Sequence, residues 1–417
     1  MLVTEVAYLT WQAVTSVPLD LHIYSWGGRA VLHDARLYRV QGYAHWFTYP
    51  PIAAVVFVPL SLIPSIARPV LWELVSLVSL AVACHVLLSS TRWSDRRIAL
   101  PVVLAAALLL EPVRHTFSLG QINLVLFALI VVDVDRSLRG RSAGVGIGLA
   151  TALKLTPGIF VLVLLAARRW RAAAIATVTF VAVTGAGWLV APNASWLYWS
   201  RLFYDTRRVG APYISNQSPF GAALRLLDGR SHVGAWFAAI TVAVLTIGVV
   251  VAAAEARRGR LAETLAVAGM TGLLVSPISW THHWLWCIPG LLVLAHGSRR
   301  LQVAAAAGFA VFAVGPMWWT PHFGGPSEYG WHGLISLAAN SYLIAGAAFL
   351  GWFTYTTAVR RNSAGQRTDD LLKTRTAAVD SDTAHAATTS RLRAAMPLAL
   401  LMPQMSCKPV AWRSSKP

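Results

Sequence analysis

Lys154 is the only lysine among the first 360 residues, and its surroundings suit it to binding an anion. It lies between two apolar stretches, 143–153 and 157–167, which are each too short to cross a bilayer as a helix. An ammonium group inside a membrane costs about 2.5–3.5 kcal/mol, so it normally faces an anionic partner or a watery cavity. Thr156 and Pro157 are typical of a helix start, with Thr156 as its cap. A cation beside a helix N-terminus is a place to hold a phosphate group.

A second group that could take part in catalysis is the carboxylate of Asp20. It belongs to the stretch Asp20-Leu21-His22-Ile23-Tyr24, which follows the first apolar run. A carboxylate at the mouth of a cavity could take a proton from a sugar hydroxyl as a general base. His22 and Tyr24 are then candidates to bind the sugar or the acceptor. The alternative is that Asp20 caps a helix that begins near Leu21, and the local sequence leaves both interpretations open.

Adjacent histidines stand out in the segment Ser276–Trp284, where polar groups separate two apolar stretches. Neighbouring residues on a helix point in different directions, so His282 and His283 are poor joint metal ligands. One of them could orient Asp20 or act as a base itself, because imidazole titrates near neutrality. We expect one of the two to be functional and Trp280 to contact the sugar. No acidic cluster indicates a metal site, and no cofactor is expected.

Polar side chains also open the helix predicted over 119–135. Gln121 and Asn123 suit hydrogen bonding to a polyhydroxylated ligand or, alternatively, to a neighbouring helix. Arg114 and His115, just before this helix, are a second possible cation for a phosphate, or ordinary loop residues.

The loop that follows Tyr198 contains Asn216, Gln217 and Ser218. Amides and hydroxyls interleaved with aromatic rings are typical of a sugar site, so these three residues are predicted to bind sugar or acceptor. An interfacial aromatic belt explains the tryptophan and tyrosine residues equally well.

The composition indicates which elements must position these residues. Apolar residues make up 56% of the chain and charged residues 12%, whereas a soluble chain carries about twice that charge. We therefore predict an all-α, polytopic integral membrane protein. The net charge of +18 does not indicate nucleic-acid binding, because the arginines fall in short clusters between apolar runs. The three cysteines do not suggest a disulfide framework.

The apolar runs predict about ten full crossings, with 143–153 and 157–167 as a re-entrant helical hairpin around Lys154. Two short or tilted spans are the alternative for that pair. The crossings are predicted at 3–18, 69–90, 98–113, 119–135, 172–191, 234–254, 261–278, 284–297, 301–318 and 333–357. Basic clusters predict both hairpin ends on the cytoplasmic side and the polar candidates on the extracytoplasmic face. Residues 1–360 are predicted to form a transmembrane domain, and residues 361–417 a disordered cytoplasmic tail.

Together these segments resemble glycosyltransferase family 87, the actinobacterial polyprenyl-phosphate-mannose-dependent alpha-mannosyltransferases of the GT-C superfamily. The stretches that carry the resemblance are Asp20–Tyr24, Phe47–Pro51, Gly120–Asn123, Gly148–Pro157, Ser215–Phe220 and Ser276–Trp284. The resemblance implies that Asp20 is the catalytic carboxylate and that His282 or His283 is functional. It is strongest to the alpha-1,2-mannosyltransferases that branch lipomannan and lipoarabinomannan. It therefore implies a polyprenyl-phosphate mannose donor, a mannan or lipoglycan acceptor, and a place in the plasma membrane.

The residues suit this chemistry independently of the resemblance. A sugar that leaves from a phosphate needs positive charge more than it needs an acid. Lys154 and the helix that begins at Pro157, with Thr156 as its cap, are predicted to bind the phosphate, and Arg114 to assist. The acceptor hydroxyl needs a base, so one carboxylate and one phosphate pocket suffice for a single displacement with inversion. A transporter or flippase of a lipid-linked sugar, a non-catalytic assembly subunit and a GT-C arabinosyltransferase are the alternatives.

Overall fold

A computed structural model of the protein describes residues 18–32, 37–91, 93, 96–228, 235–322 and 325–360. These residues form helices and connecting turns, and apart from two isolated bridges the described ranges contain no β-structure. The predicted all-α class is therefore confirmed. The predicted crossing at 3–18 and the predicted tail at 361–417 lie outside the described residues. Residues up to Thr356 form one compact unit, and the second unit, Thr357–Pro417, is described only as far as residue 360.

The α-helices are numbered here in chain order. They are α1 Leu19–Ala30, α2 Pro51–Val56, α3 Val58–Leu62, α4 Ala67–Leu88, α5 Arg96–Leu109, α6 Glu111–Leu119, α7 Asn123–Leu138, α8 Val145–Leu153, α9 Ile159–Ala166, α10 Trp170–Val190, α11 Pro192–Leu197, α12 Pro219–Leu226, α13 Ala235–Arg257, α14 Leu261–Val275, α15 Cys287–Ala295, α16 Arg299–Val314, α17 Leu334–Ala339 and α18 Ser341–Arg360.

Among the described residues, four helices are long and apolar enough to cross a membrane: α4, α10, α13 and α18. The pair formed by α5 and α6 bends by 73° and adds a fifth span if it is counted as one. The protein is therefore a helical membrane protein, whereas the predicted count of about ten crossings is not established by these helices. Several of the other predicted crossings coincide with shorter helices, such as α14 over Leu261–Val275.

Three predicted helix boundaries are wrong, and each has a local cause. The run 98–113 is interrupted at Leu110, because Pro112 has no N–H and its ring excludes a helix that continues through it. The run 119–135 begins only at Asn123, because Gly120 closes the preceding helix in the left-handed region at φ +65°. The run 333–357 is two helices, since Asn340 leaves helical geometry between them.

The pair α8 and α9 corresponds to the two short stretches around Lys154. Helix α8 ends at Leu153, and Lys154 itself is extended, with φ −153° and ψ 123°. A 3-10 turn over Thr156–Gly158 then leads into α9. Lys154 therefore lies at the break between two half-length helices, as the sequence predicts.

Two contacts hold this helix pair in place. The buried carboxylate of Asp133, on α7, accepts hydrogen bonds from the N–H groups of Gly144 and Ile147, both at 2.9 Å, and so caps the start of α8. On another face, a Cβ atom at Gly148 would lie 2.5 Å from the carbonyl oxygen of Ala176 on α10. Small residues of this kind let two helix backbones approach closely.

The cap at Asp133 predicts a stability effect that can be measured against a neighbouring carboxylate. Asp133→Ala leaves two buried N–H groups without an acceptor, and each such group costs about 1–3 kcal/mol. We expect the melting temperature in detergent to fall clearly. Asp135→Ala, on the same helix, removes only an ion pair to the exposed Arg139, which is worth at most about 1 kcal/mol. Equal melting temperatures for the two variants would contradict the capping role.

Candidate active site

The described residues enclose one large cavity, of about 1210 Å³, at which several of the sequence candidates meet. Its walls come from the start of α1, the loop before α2, the α6–α7 junction, the break around Lys154, and the loops that precede α12 and α15. The polar side chains that line it include Asp20, His45, His115, Gln121, Lys154, Arg208, Ser215, Trp280, His282 and His283. Asp20, Lys154 and the two histidines, which the sequence identified separately, therefore share one cavity.

Asp20 is the second residue of α1, and the residue at the N-cap position is Pro18. The interpretation of Asp20 as the cap of a helix that begins near Leu21 is therefore wrong. Its carboxylate faces the cavity, where the side chain of Gln121 hydrogen-bonds it. The carbonyl oxygen of that amide already accepts from the hydroxyls of Tyr24, at 2.8 Å, and Tyr49, at 3.0 Å. The amide group is thus oriented so that its N–H donors face Asp20.

The protonation of Asp20 depends on a balance of two effects. Burial raises the pKa of Asp20 to about 6, because the charged carboxylate loses water. The hydrogen bond from Gln121 and the charges of Lys154, His115 and His45 act in the opposite direction and limit the rise. A carboxyl group with this pKa is ionised at neutral pH and still basic enough to accept a proton.

Lys154 directs its ammonium group toward two neutral acceptors. Nζ donates to Oδ1 of Asn123 and to Nε2 of His283, both at 2.8 Å, and it lies 5.6 Å from the centre of the Tyr49 ring. Among the described residues no carboxylate lies within ion-pair distance of Nζ. The positive charge of Lys154 is therefore available to an anion that enters the cavity.

The adjacent histidines point in different directions, as expected. His283 bonds Lys154, whereas the ring of His282 packs edge-on against the rings of His283, at 4.7 Å, and His115, at 5.3 Å. Both ring nitrogens of His282 are buried and have no hydrogen-bond partner in the described part of the chain. Within that same part, no group of three or more His, Cys, Asp or Glu side chains is placed to hold a metal ion.

The three polar residues of the loop before α12 are not among the residues that line the cavity, and their role in sugar binding stays a prediction. All three are fully buried. Asn216 bonds the carbonyls of Ala211 and Pro277 and the N–H of Ser279. These bonds fasten two irregular backbone segments together, which is the structural use of an amide side chain.

The two residues that follow Asn216 are used in the same way. Gln217 donates to the carbonyls of Ile214 and Ala339. Ser218 caps α12 by accepting from the N–H of Gly221, and it donates to the carbonyl of Pro277.

The remaining sequence candidates divide into two groups. Trp280 and Thr156 both line the cavity. Thr156 is the first residue of a 3-10 turn, and its side chain makes no capping hydrogen bond among the described contacts, contrary to the prediction. Asn123 supports Lys154 from an adjoining crevice.

Three other candidates are not among the residues that line the cavity, and their roles in binding stay predictions. Arg114 turns away on α6 and donates to the carbonyl of Ala313 at 2.6 Å. His22 lies 3.0 Å from the carbonyl of Pro18, and Tyr24 is buried behind Gln121.

Tyr49, His45 and His115 also line the cavity, although no local pattern in the sequence singles them out as site residues. Tyr49 lies in the Phe47–Pro51 stretch, so the resemblance carried a signal for it. His45 belongs to an irregular loop with no periodicity, and only the fold brings it beside Asp20.

A model of glycosyltransferase family 87 matches residues 47–277, which is more than half of the chain. The chain belongs to this glycosyltransferase family. The match includes Gln121 and Lys154, while Asp20, His282 and His283 lie beyond its ends.

Curated mycobacterial relatives of this glycosyltransferase extend further along the chain. A polyprenol-phosphate-mannose-dependent alpha-(1-2)-phosphatidylinositol mannoside mannosyltransferase of Mycobacterium tuberculosis (strain ATCC 25618 / H37Rv) is 33% identical over 338 residues, covering 75% of this chain and 79% of the relative. The pentamannoside mannosyltransferase of Mycolicibacterium smegmatis with the same donor dependence is 32% identical over 386 residues, covering 85% and 90%. No solved structure matches the chain.

Proposed function

We propose that this membrane glycosyltransferase transfers mannose from polyprenyl-phosphate mannose to a mannosylated lipid and forms an alpha-1,2 linkage. The names of the relatives supply the sugar, the donor and the linkage. They also favour a phosphatidylinositol mannoside as the acceptor, which is narrower than the mannan or lipoglycan acceptor expected from the sequence. The chemistry is a single displacement at the anomeric carbon with inversion.

The observation that carries the proposal is that Asp20 and the unpaired ammonium of Lys154 line the same cavity. A phosphate leaving group is already a stable anion, so its departure needs positive charge more than it needs a proton. The acceptor hydroxyl, in contrast, must lose its proton as it attacks. The cavity offers one group for each task.

The apolar part of the cavity supports a lipid donor rather than a soluble sugar nucleotide. Beyond Lys154 the wall continues over Ile159, Leu162, Leu245 and Val275, on three helices. Leu162 is 43% exposed, so this wall is open at its edge. A polyprenyl chain can lie along such a surface while its phosphate contacts Lys154, since burying apolar area is favourable.

In the proposed reaction a carboxylate oxygen of Asp20 accepts the proton of the acceptor hydroxyl. The hydroxyl oxygen forms a bond to the anomeric carbon as the bond from that carbon to the phosphate oxygen breaks. Polyprenyl phosphate leaves as an anion beside Lys154, whose ammonium is held by Asn123 and His283. The base and the leaving group act on opposite faces of the sugar, so the configuration inverts.

The membrane arrangement remains part of the proposal. It comprises about ten crossings, α8 and α9 as a re-entrant hairpin, the cavity on the extracytoplasmic face of the plasma membrane, and the tail from residue 361 in the cytoplasm. A transporter of a lipid-linked sugar would need polar groups along a path to the other face, whereas Asp20, Lys154 and the two histidines line one cavity together.

Replacing the proposed base tests the function directly. For Asp20→Asn, we expect mannosyl transfer from polyprenyl-phosphate mannose to a phosphatidylinositol mannoside to fall by about 10²–10⁴-fold, the usual contribution of a general base. The assay uses purified protein and radiolabelled donor. Asp228→Asn is the matched control, because it makes the same change at an exposed aspartate and its left-handed backbone suits asparagine. Full activity of Asp20→Asn would exclude the mechanism.

The pH dependence of the same reaction follows from the raised pKa of Asp20. The base must be deprotonated, so kcat/KM is expected to be constant above the pKa of about 6 and to fall as the pH drops through it. Below that point the decrease approaches tenfold per pH unit. A profile that stays flat down to pH 4.5 would contradict Asp20 as the base.

Lys154→Met tests the phosphate contact. A hydrogen bond to a charged group contributes about 1.5–3 kcal/mol, so the KM for the donor is expected to rise about 10- to 100-fold while the KM for the acceptor changes little. Lys154→Arg keeps the charge and is expected to recover part of the donor affinity. An equal KM for the donor in the wild type and in Lys154→Met would contradict the phosphate pocket.

A further inference from the structure

A buried carboxylate outside the Asp20–Lys154 arrangement faces the cavity through a histidine. Glu111 is the first residue of α6, directly after the 73° bend, and is only 7% exposed. One of its oxygens accepts from the indole N–H of Trp318 at 2.8 Å, and the other accepts from the hydroxyl of Tyr342 at 2.8 Å. The indole can only donate, so the oxygen that it contacts is an acceptor.

The third neighbour of Glu111 is His115, one helical turn further along α6. Nδ1 of His115 lies 3.2 Å from Oε1 of Glu111 and 2.7 Å from the hydroxyl oxygen of Thr281. Carboxylate and imidazole therefore form an i,i+4 pair. A proton on Nδ1 suits this pair, because the ionised carboxylate can only accept. The edge-on contacts of the ring with His282 and Trp318 fix its plane.

This arrangement leaves Nε2 of His115 toward the cavity. Among the described residues no side chain or carbonyl bonds Nε2, and His115 lines the cavity together with Asp20. The contact of Nδ1 with the buried carboxylate of Glu111 is the geometry of a carboxylate–imidazolium pair. In such a pair both ring nitrogens are donors, so Nε2–H is the donor on the cavity side.

We propose that Glu111 is a positioning residue of this enzyme: it holds His115 as an imidazolium whose Nε2–H faces the substrate beside Asp20. The charge has two effects on the proposed reaction, on which this inference rests. It keeps Asp20 ionised, since a nearby positive charge favours the carboxylate. It also offers a donor to an oxygen of the bound substrate.

Other titratable groups surround the pair, and the test must separate their effects from that of Glu111. On the cavity side they are Asp20, Lys154, His282 and His283, and around Glu111 they are Arg114, Cys287, His322 and Tyr342. All of them stay in place in the variants chosen below, except where Tyr342 is itself changed.

The deciding measurement is the pH profile of mannosyl transfer for Glu111→Gln, His115→Asn and the double variant. Glutamine keeps the acceptor oxygen for Nδ1 and removes only the charge. We expect kcat at pH 7 to fall about tenfold and the acid limb of kcat/KM to move up by about half a pH unit or more. His115→Asn is expected to do the same, and the double variant to add nothing further, because Glu111 acts through His115.

Two controls exclude a merely structural effect. Glu263→Gln makes the same substitution at a carboxylate outside this network, in the first turn of α14. Tyr342→Phe removes one hydrogen bond to Glu111 but keeps its charge, so it is expected to lower the melting temperature and leave the acid limb where it was.

An acid limb that is unmoved in Glu111→Gln, or that still moves when Glu111→Gln is added to His115→Asn, would overturn the proposal. If Glu111→Gln does not fold, the acid limb of His115→Asn decides in the same way. Asp20→Asn is measured alongside. If Asp20→Asn is inactive while Glu111→Gln and His115→Asn behave as the wild type, only the role of Glu111 fails. If Asp20→Asn is fully active, the proposed function itself fails.

Discussion

The structure depends on one ammonium group, that of Lys154, which has no carboxylate within ion-pair distance among the described residues. Lys154 is held at the break between α8 and α9 by an amide oxygen and an imidazole nitrogen, both neutral. Such a charge is expensive away from water, so the surrounding chain must provide either solvent or an anion. The cavity has room for either, and Lys154 reaches it because two half-length helices meet here instead of one continuous helix.

Much of the nearby chain serves to hold that break in position. The carboxylate of Asp133 replaces the missing partners of the first N–H groups of α8, and Gly148 allows α8 to lie against α10 without a side chain between them. Asn123 begins α7 and reaches both Lys154 and the carbonyl of His282. One amide thus links the Lys154 end of the cavity to the histidine segment.

Charge is distributed unevenly around the cavity, in a way that fits transfer from a phosphate. Lys154, His283, His282 and His115 follow one another along one wall, each in contact with the next. Asp20 faces this wall, and Glu111 closes its far end. In the proposed function, the ammonium of Lys154 attracts the anionic lipid head group and Asp20 keeps one basic oxygen for the acceptor.

The sequence by itself determined the helical membrane class and the break at Lys154, because composition and local apolar run length decide these features. The tertiary structure alone decided which polar residues reach the cavity. Asn216, Gln217 and Ser218 resemble sugar-binding residues in sequence, but they satisfy buried carbonyls of irregular segments that only the fold brings together. Glu111 and His115 look like ordinary residues of a short helix until Trp318 and Tyr342, more than two hundred positions away, enclose them. Hydrogen-bond demand in a buried loop is set by its neighbours in space, so no local pattern in the chain could report it.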